Sequence, residues 1–379
     1  MNSAILAVVL ATVWLYALAA AIATGRFARR GRKLAAEVRP PVTILKPLYG
    51  AEPGLFENLA SFGEQDYPEY QIVFGVRDRT DAAIPIARRL MDEKPHSDIA
   101  LIVDPHVTGS NLKVANLENM VPSARHDLFV LADSDMRVAP HYLDMVTAPL
   151  ADSRVGLVTC LYEGVPGEGL WSRLAALHIN YGFLPGAVLG HAMQVGGGCF
   201  GATIALRRDV FERIGGFARL RHELADDHRM GSAVRRLGLS VVLSPYVVAN
   251  QVTEPTFSSL WQHELRWART SRAMAPGGYT GSLVTHTVPV TALAVALLGS
   301  DPLAWGFVGV SVLLRWLSAA AIARRLGFSR AGLWLLPLRD FLSFAIYLGS
   351  FCGRNVQWRN QSFRVEASGR MSLEGDKPV

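Results

Sequence analysis

Leu128-Phe129-Val130-Leu131-Ala132-Asp133-Ser134-Asp135 passes from five apolar residues directly into two acids separated by one serine. A short, wholly apolar run reads as a strand buried on both faces. Carboxylates two positions apart where such a strand ends can point to the same side. Paired hard oxygens suit Mg²⁺ or Mn²⁺ that also takes phosphate oxygens. Asp-x-Asp by itself reads first as a solvated turn, and it is the buried strand feeding it that moves the reading to a ligand site.

Upstream, the short runs Val42–Leu45, Gln71–Val76 and Ile99–Val103 alternate with helical patterns around 53–63, 81–92, 111–120 and 140–149. Strand–helix alternation predicts an α/β domain built on a mostly parallel sheet with helices on both faces. Ligands of such sheets bind beyond the carboxyl ends of the strands, which singles out Lys46-Pro47, Asp78, Pro105 and Asp133–Asp135. Asp78 alone serves as well as a turn residue or cap. Lys113 opens the 111–120 helix, where it can neutralise a diphosphate or simply face solvent.

Downstream, Asp226-Asp227 precedes a helical stretch at 229–237. Two adjacent acids exceed what capping needs, so one is expected to cap and the other to be free for general-base work, its pKa tuned by burial and by its neighbour. In His263-Glu264-Leu265-Arg266-Trp267, the residues His263, Arg266 and Trp267 share one helical side, and Arg with Trp can clamp a phosphate and a ring. Two amphipathic faces, Leu170/Leu174/Leu177/Tyr181/Leu184 and Phe257/Leu260/Trp261/Leu265/Ala268, suit packing on the sheet and the membrane interface equally.

The whole chain is 379 residues, 50% hydrophobic and only 18% charged, with a mean hydropathy of +0.22. That composition excludes a single small binding module and places part of the chain in lipid. The net charge of +6 comes largely from arginine clusters beside apolar runs, a pattern for a membrane surface rather than for nucleic acid. Cys160, Cys199 and Cys352 lie far apart without CxxC spacing, so neither a disulfide framework nor a zinc site is indicated.

Residues 1–25 read as a retained membrane anchor, because Arg26, Arg29, Arg30, Arg32 and Lys33 follow the apolar run, whereas a cleaved signal carries its charge ahead. Residues 283–323 read as a transmembrane hairpin turning at Asp301-Pro302, and 331–379 as a re-entrant or interfacial segment with a basic tail. The globular domain then covers 40–278, on the cytoplasmic side by the positive-inside rule.

Taken in order, Asp78, Asp133-Ser134-Asp135, Asp226-Asp227 and Arg266-Trp267 resemble the D, DxD, (E/D)D and (Q/R)xxRW series of membrane-bound, inverting family 2-like glycosyltransferases. His263 stands where the last motif has Gln or Arg. Leu45–Gly50, Asn58-Leu59, Gln65–Pro68 and Pro337–Asp340 look like the ceramide glucosyltransferase family, and Gly196–Gly201 is most similar to its bacterial hopanoid-biosynthesis members. The resemblance implies a GT-A-like fold, a bacterial inner-membrane location, a UDP-sugar donor, a membrane lipid acceptor (hopanoid or ceramide) and Mg²⁺ or Mn²⁺. By position it implies donor contacts from Pro47, Asp78, Lys113, Asp133, Asp135, Arg266 and Trp267, with Asp78 on the uracil and Asp135 on the metal. It makes Asp227 the base, and it leaves Asp226, Gly197, Cys199 and His263 to contact the acceptor or shape the site. The expected reaction is transfer of N-acetylglucosamine to bacteriohopanetetrol; glucosylation of ceramide is the alternative. A processive synthase has too few following spans, and a non-enzymatic transporter or scaffold lacks intramembrane polar residues marking a path.

Overall fold

The computed structural model describes residues 2–30, 38–195, 198–299, 301–353, 355–358, 361–365 and 371–373. Two compact units emerge. One is built mainly from Gly31–Val165 and Gly197–Gln251; the other comprises Met1–Arg30, Pro166–Gly196 and Val252–Ser368.

The first unit is an α/β sheet with strands β1 (Val42–Pro47), β2 (Tyr70–Val76), β3 (Asp98–Val103), β4 (Leu128–Ala132), β5 (Met136–Arg137), β6 (Val155–Pro166), β7 (Thr203–Arg207) and β8 (Ser240–Val252). Their order is β3-β2-β1-β4-β7-β6-β8-β5. The parallel half expected from the sequence is β3-β2-β1-β4. Beyond β4 the pairings of β7 with β4 and β6, and of β5 with β8, are antiparallel, so the sheet is mixed.

Alternation along each strand sends side chains into two cores. Val42, Ile44, Ile72, Phe74 and Val130 pack on one face with Leu55, Leu59 and Phe62 of helix Leu55–Phe62. Leu45, Val73, Phe129 and Leu131 pack on the other with Val114 and Leu117 of helix Leu112–Met120 and Met230 of helix Asp226–Arg236. Helices therefore cover both faces. Gly75 makes the close approach of helix Leu112–Met120 possible, since a Cβ there would lie 2.3 Å from Met120 Sδ. In return Asn116 Nδ2 donates to the Gly75 carbonyl at 2.8 Å.

The second unit is helical. Ser3–Arg30 and Pro302–Leu326 are each long and apolar enough to cross a membrane, with hydropathies of 2.5 and 1.7. Their outward residues include Val8, Leu15, Leu313 and Leu317, all exposed apolar side chains. The first arm of the expected hairpin is bent by 78° at a break between Pro276–Thr285 and Thr287–Leu298. Helix Leu336–Ser350 carries Pro337 in its first turn, where a missing N–H costs nothing. The two amphipathic stretches are also helical here: Leu170–His178 continues through a π turn at Ile179–Phe183 into Leu184–Ala192, and Phe257–Met274 starts with a Thr256–Ser259 capping box. A hairpin of β9 (Asn355–Trp358) and β10 (Gln361–Val365) follows.

Candidate active site

The carboxyl ends of β1, β2 and β4 share one edge of the sheet, and the turn Asp133-Ser134-Asp135 caps it. Each residue of that turn is held separately. The Asp133 carbonyl accepts from Lys46 Nζ at 2.8 Å, and its Oδ1 pairs with Lys113 Nζ at 2.5 Å. Ser134 Oγ donates to Glu52 Oε2 at 3.0 Å. Asp135 Oδ2 accepts from Asn250 Nδ2 at 2.7 Å, next to the β5–β8 pairing that brings Asn250 opposite Met136.

Lys113 stands in the first turn of its helix, whose amides at Lys113 and Val114 are capped by the Asn111 side chain at 3.0 Å. Burial alone would lower its pKa, but Asp133, Asp226 and Asp227 outweigh burial and hold it above the ordinary lysine value. Asp227 Oδ2 accepts from the Gly201 amide at 2.9 Å and Oδ1 from the His228 amide at 2.6 Å. Burial raises the Asp227 pKa, while the two amide hydrogen bonds and Lys113 restrain the rise. Asp226 is pushed up to about 6, first by burial and then by Asp227 and Asp133 against the pull of Lys113.

One expectation changes here: neither acid caps the helix in the usual way. The N-cap position is Ala225, both aspartates lie inside the first turn, and Asp227 spends one oxygen on the distant Gly201 loop instead.

The structure thus brings Lys113, Asp133, Asp226 and Asp227 into one electrostatic cluster, with Asp135 beside it. Pro47 ends β1 at the same edge, in register with Gly75. Asp78 follows β2 at this edge too, but it is exposed and turned onto Thr80, whose amide and hydroxyl it accepts at 2.8 and 2.7 Å. Those bonds lower its pKa. Cys199 is buried against Gly231 in the core beneath helix Asp226–Arg236, so it shapes the loop from behind. Gly197 lies outside the described residues.

In the helical unit, His263 Nδ1 is hydrogen-bonded to Glu254 Oε1 at 2.6 Å, and its ring meets Trp267 edge-on at 4.3 Å. His263 therefore fills the position of the motif's Gln or Arg as a partner for a glutamate. Arg266 sits near enough to help lower the pKa of the same Glu254, although burial opposes and the His263 hydrogen bond does more.

Glu52 and Asn250 are site residues that the sequence reading misses, and Lys46, singled out there at the end of β1, is given no role by it. Lys46 is wholly buried with its ammonium 3.6 Å from the Phe62 ring centroid. Burial pushes it down to about 7 against the opposing pull of Asp135, Asp133 and Glu52. A lysine inside an apolar strand is itself a signal, because full burial of that residue type requires partners.

Burial, Asp133 and Glu52 together push Asp135 up to about 6. Such an accumulation of acid favours a cation. Among the described residues no trio of His, Cys, Asp or Glu closes into a metal cage. That donor set fits a hard divalent ion that keeps a protein carboxylate or two and fills its shell with phosphate oxygens and water.

A two-core α/β sheet with acids and a lysine at its strand ends, in one chain with membrane-length helices, is the architecture of a membrane-associated protein of GT-A-like fold. The chain belongs to glycosyl transferase family 21, whose model matches residues 4–371. Among curated proteins it is 22% identical to ceramide glucosyltransferase 1 of Caenorhabditis elegans over 88% of this chain and 73% of that one. Ceramide glucosyltransferase 3 of the same organism is also 22% identical, over 88% and 74%. Among solved structures, a mannosyltransferase of Pyrobaculum calidifontis in complex with GDP-Man and Mn²⁺ superposes with a TM-score of 0.51 at 19% identity, covering 93% of this chain and 99% of that one. The reading as a non-enzymatic transporter or scaffold falls with the family assignment.

Proposed function

We propose that this enzyme transfers a hexose, with inversion, from a UDP-sugar to the hydroxyl of a membrane lipid, glucose to ceramide being the leading pair. The names of the curated relatives support that pair. Bacteriohopanetetrol with UDP-N-acetylglucosamine, suggested by the Gly196–Gly201 wording, has no counterpart among those relatives and takes second place.

The observation that carries the mechanism is the meeting of Asp227, Lys113 and Asp133 around Gly201. Asp227 is the base: it removes the lipid hydroxyl proton as that oxygen attacks the anomeric carbon. Its two oxygens are each fixed by one main-chain amide, so the carboxylate is oriented before the acceptor arrives. Lys113 neutralises charge growing on the departing diphosphate. Asp133 orients Lys113 and the donor ribose. Asp135 would hold a divalent ion, which would supply Lewis-acid stabilisation of the leaving group when bound. One carboxylate base suffices for inversion by transfer, unlike the two carboxylates of hydrolases.

The test is the purified full chain in lipid with each donor–acceptor pair, products read by mass spectrometry. Glucosylceramide is expected. A modified hopanoid with no glucosylceramide would exchange the order of the two readings and leave the glycosyltransferase chemistry standing.

A further inference from the structure

Gly201 has no side chain where the site is most densely charged. A Cβ built on it would lie 3.5 Å from Asp227 Oδ2, 3.5 Å from Lys113 Nζ and 3.6 Å from Asp133 Oδ2. None of these separations is a clash; each is an ordinary van der Waals contact. The amide of Gly201 already serves Asp227, and any residue but proline would keep that amide. What glycine alone provides here is volume, bounded on one side by the base and on another by the cation for the leaving group. A reacting centre needs to be reached by both.

We propose that the missing side chain of Gly201 is the seat of the donor's sugar at its reacting carbon, so that residue 201 selects productive sugar donors without taking part in nucleotide binding. This rests on the reading of the enzyme as UDP-sugar-dependent, and it adds a specificity-determining position to that site. A methyl at 201 meets Lys113 and Asp133, the groups assigned to the diphosphate and ribose, only in ordinary van der Waals contact and displaces neither, whereas the hexose has to share its volume with that methyl.

The experiment compares UDP with UDP-glucose on the full chain and on Gly201→Ala, by calorimetry in the presence of Mn²⁺, alongside thermal melting and steady-state turnover. Gly201→Ala is expected to melt with the wild type and bind UDP within about twofold of it. Its affinity for UDP-glucose should fall about tenfold or more, the scale of one misplaced methylene in a fitted pocket. Gly201→Ser, with one further atom in the same space, should deepen the loss. Unchanged UDP-glucose binding in Gly201→Ala overturns the proposal, and so does equal weakening of UDP and UDP-glucose, the signature of a merely structural role. A wild type that binds neither ligand would instead refute the UDP-sugar reading beneath it.

Discussion

Asp227 is tied to two backbone amides and feels the charge of Lys113, and this predicts how the enzyme responds to its removal. Asp227→Asn keeps the shape and one acceptor oxygen but cannot take a proton. Turnover should fall at least ~10²-fold with donor binding retained. Near-normal turnover in a folded variant removes the assignment. A general base acts deprotonated and the Asp227 pKa is raised, so in the proposed role activity should be lost as pH falls through a value above the ordinary aspartate 3.8. The acid limb of kcat/KM against pH should therefore lie above that of a free aspartate and disappear in the variant's residual rate. Asp133, Asp135, Lys113 and Asp227 were legible in sequence because strand ends and helix starts concentrate chemistry. The role of Lys46 was not: its partner is the main-chain carbonyl of Asp133, and a backbone acceptor leaves no mark in the sequence.

Helix Leu336–Ser350 shows how an element can look interrupted in sequence and be continuous in space. Arg339 and Asp340 break its apolar run, yet both are buried. Arg339 pairs with Glu264, 75 positions away, and Asp340 accepts from Arg315 Nε at 3.0 Å. Breaking a buried pair by deleting one partner typically costs about 3–5 kcal/mol, whereas replacing both with apolar residues is often neutral. Arg339→Met should lower the melting temperature sharply, and Arg339→Met with Glu264→Met should restore most of it; an unchanged melting temperature in the single variant contradicts the pairing. The same limit explains what was missed in the sheet. The early strands are short and uniformly apolar, so their alternation with helices could be read directly. In β6, β7 and β8 the apolar pattern is broken by Thr159, Thr203, Ser244 and Asn250, polar residues buried against partners in other segments.

For the whole molecule, the arginine clusters after the first span and at 324–325 predict three crossings, the bent pair around His286 counting as one, with the α/β unit in the cytoplasm. A cysteine probe at Gly375 and a tag at Val379 should then be inaccessible from outside intact cells. Labelling from outside would mean that 333–352 spans after all. Two membrane-length helices and a GT-A-like sheet in one chain make sense together if the acceptor stays in lipid while the donor comes from water. Its most direct test is the product balance of the purified enzyme given UDP-glucose, ceramide and Mn²⁺. UDP and β-glucosylceramide are expected in equal amounts, both lost on chelating the metal and both lost in Asp227→Asn. UDP formed without glycolipid, or glycolipid made undiminished by the Asp227→Asn enzyme, would contradict it.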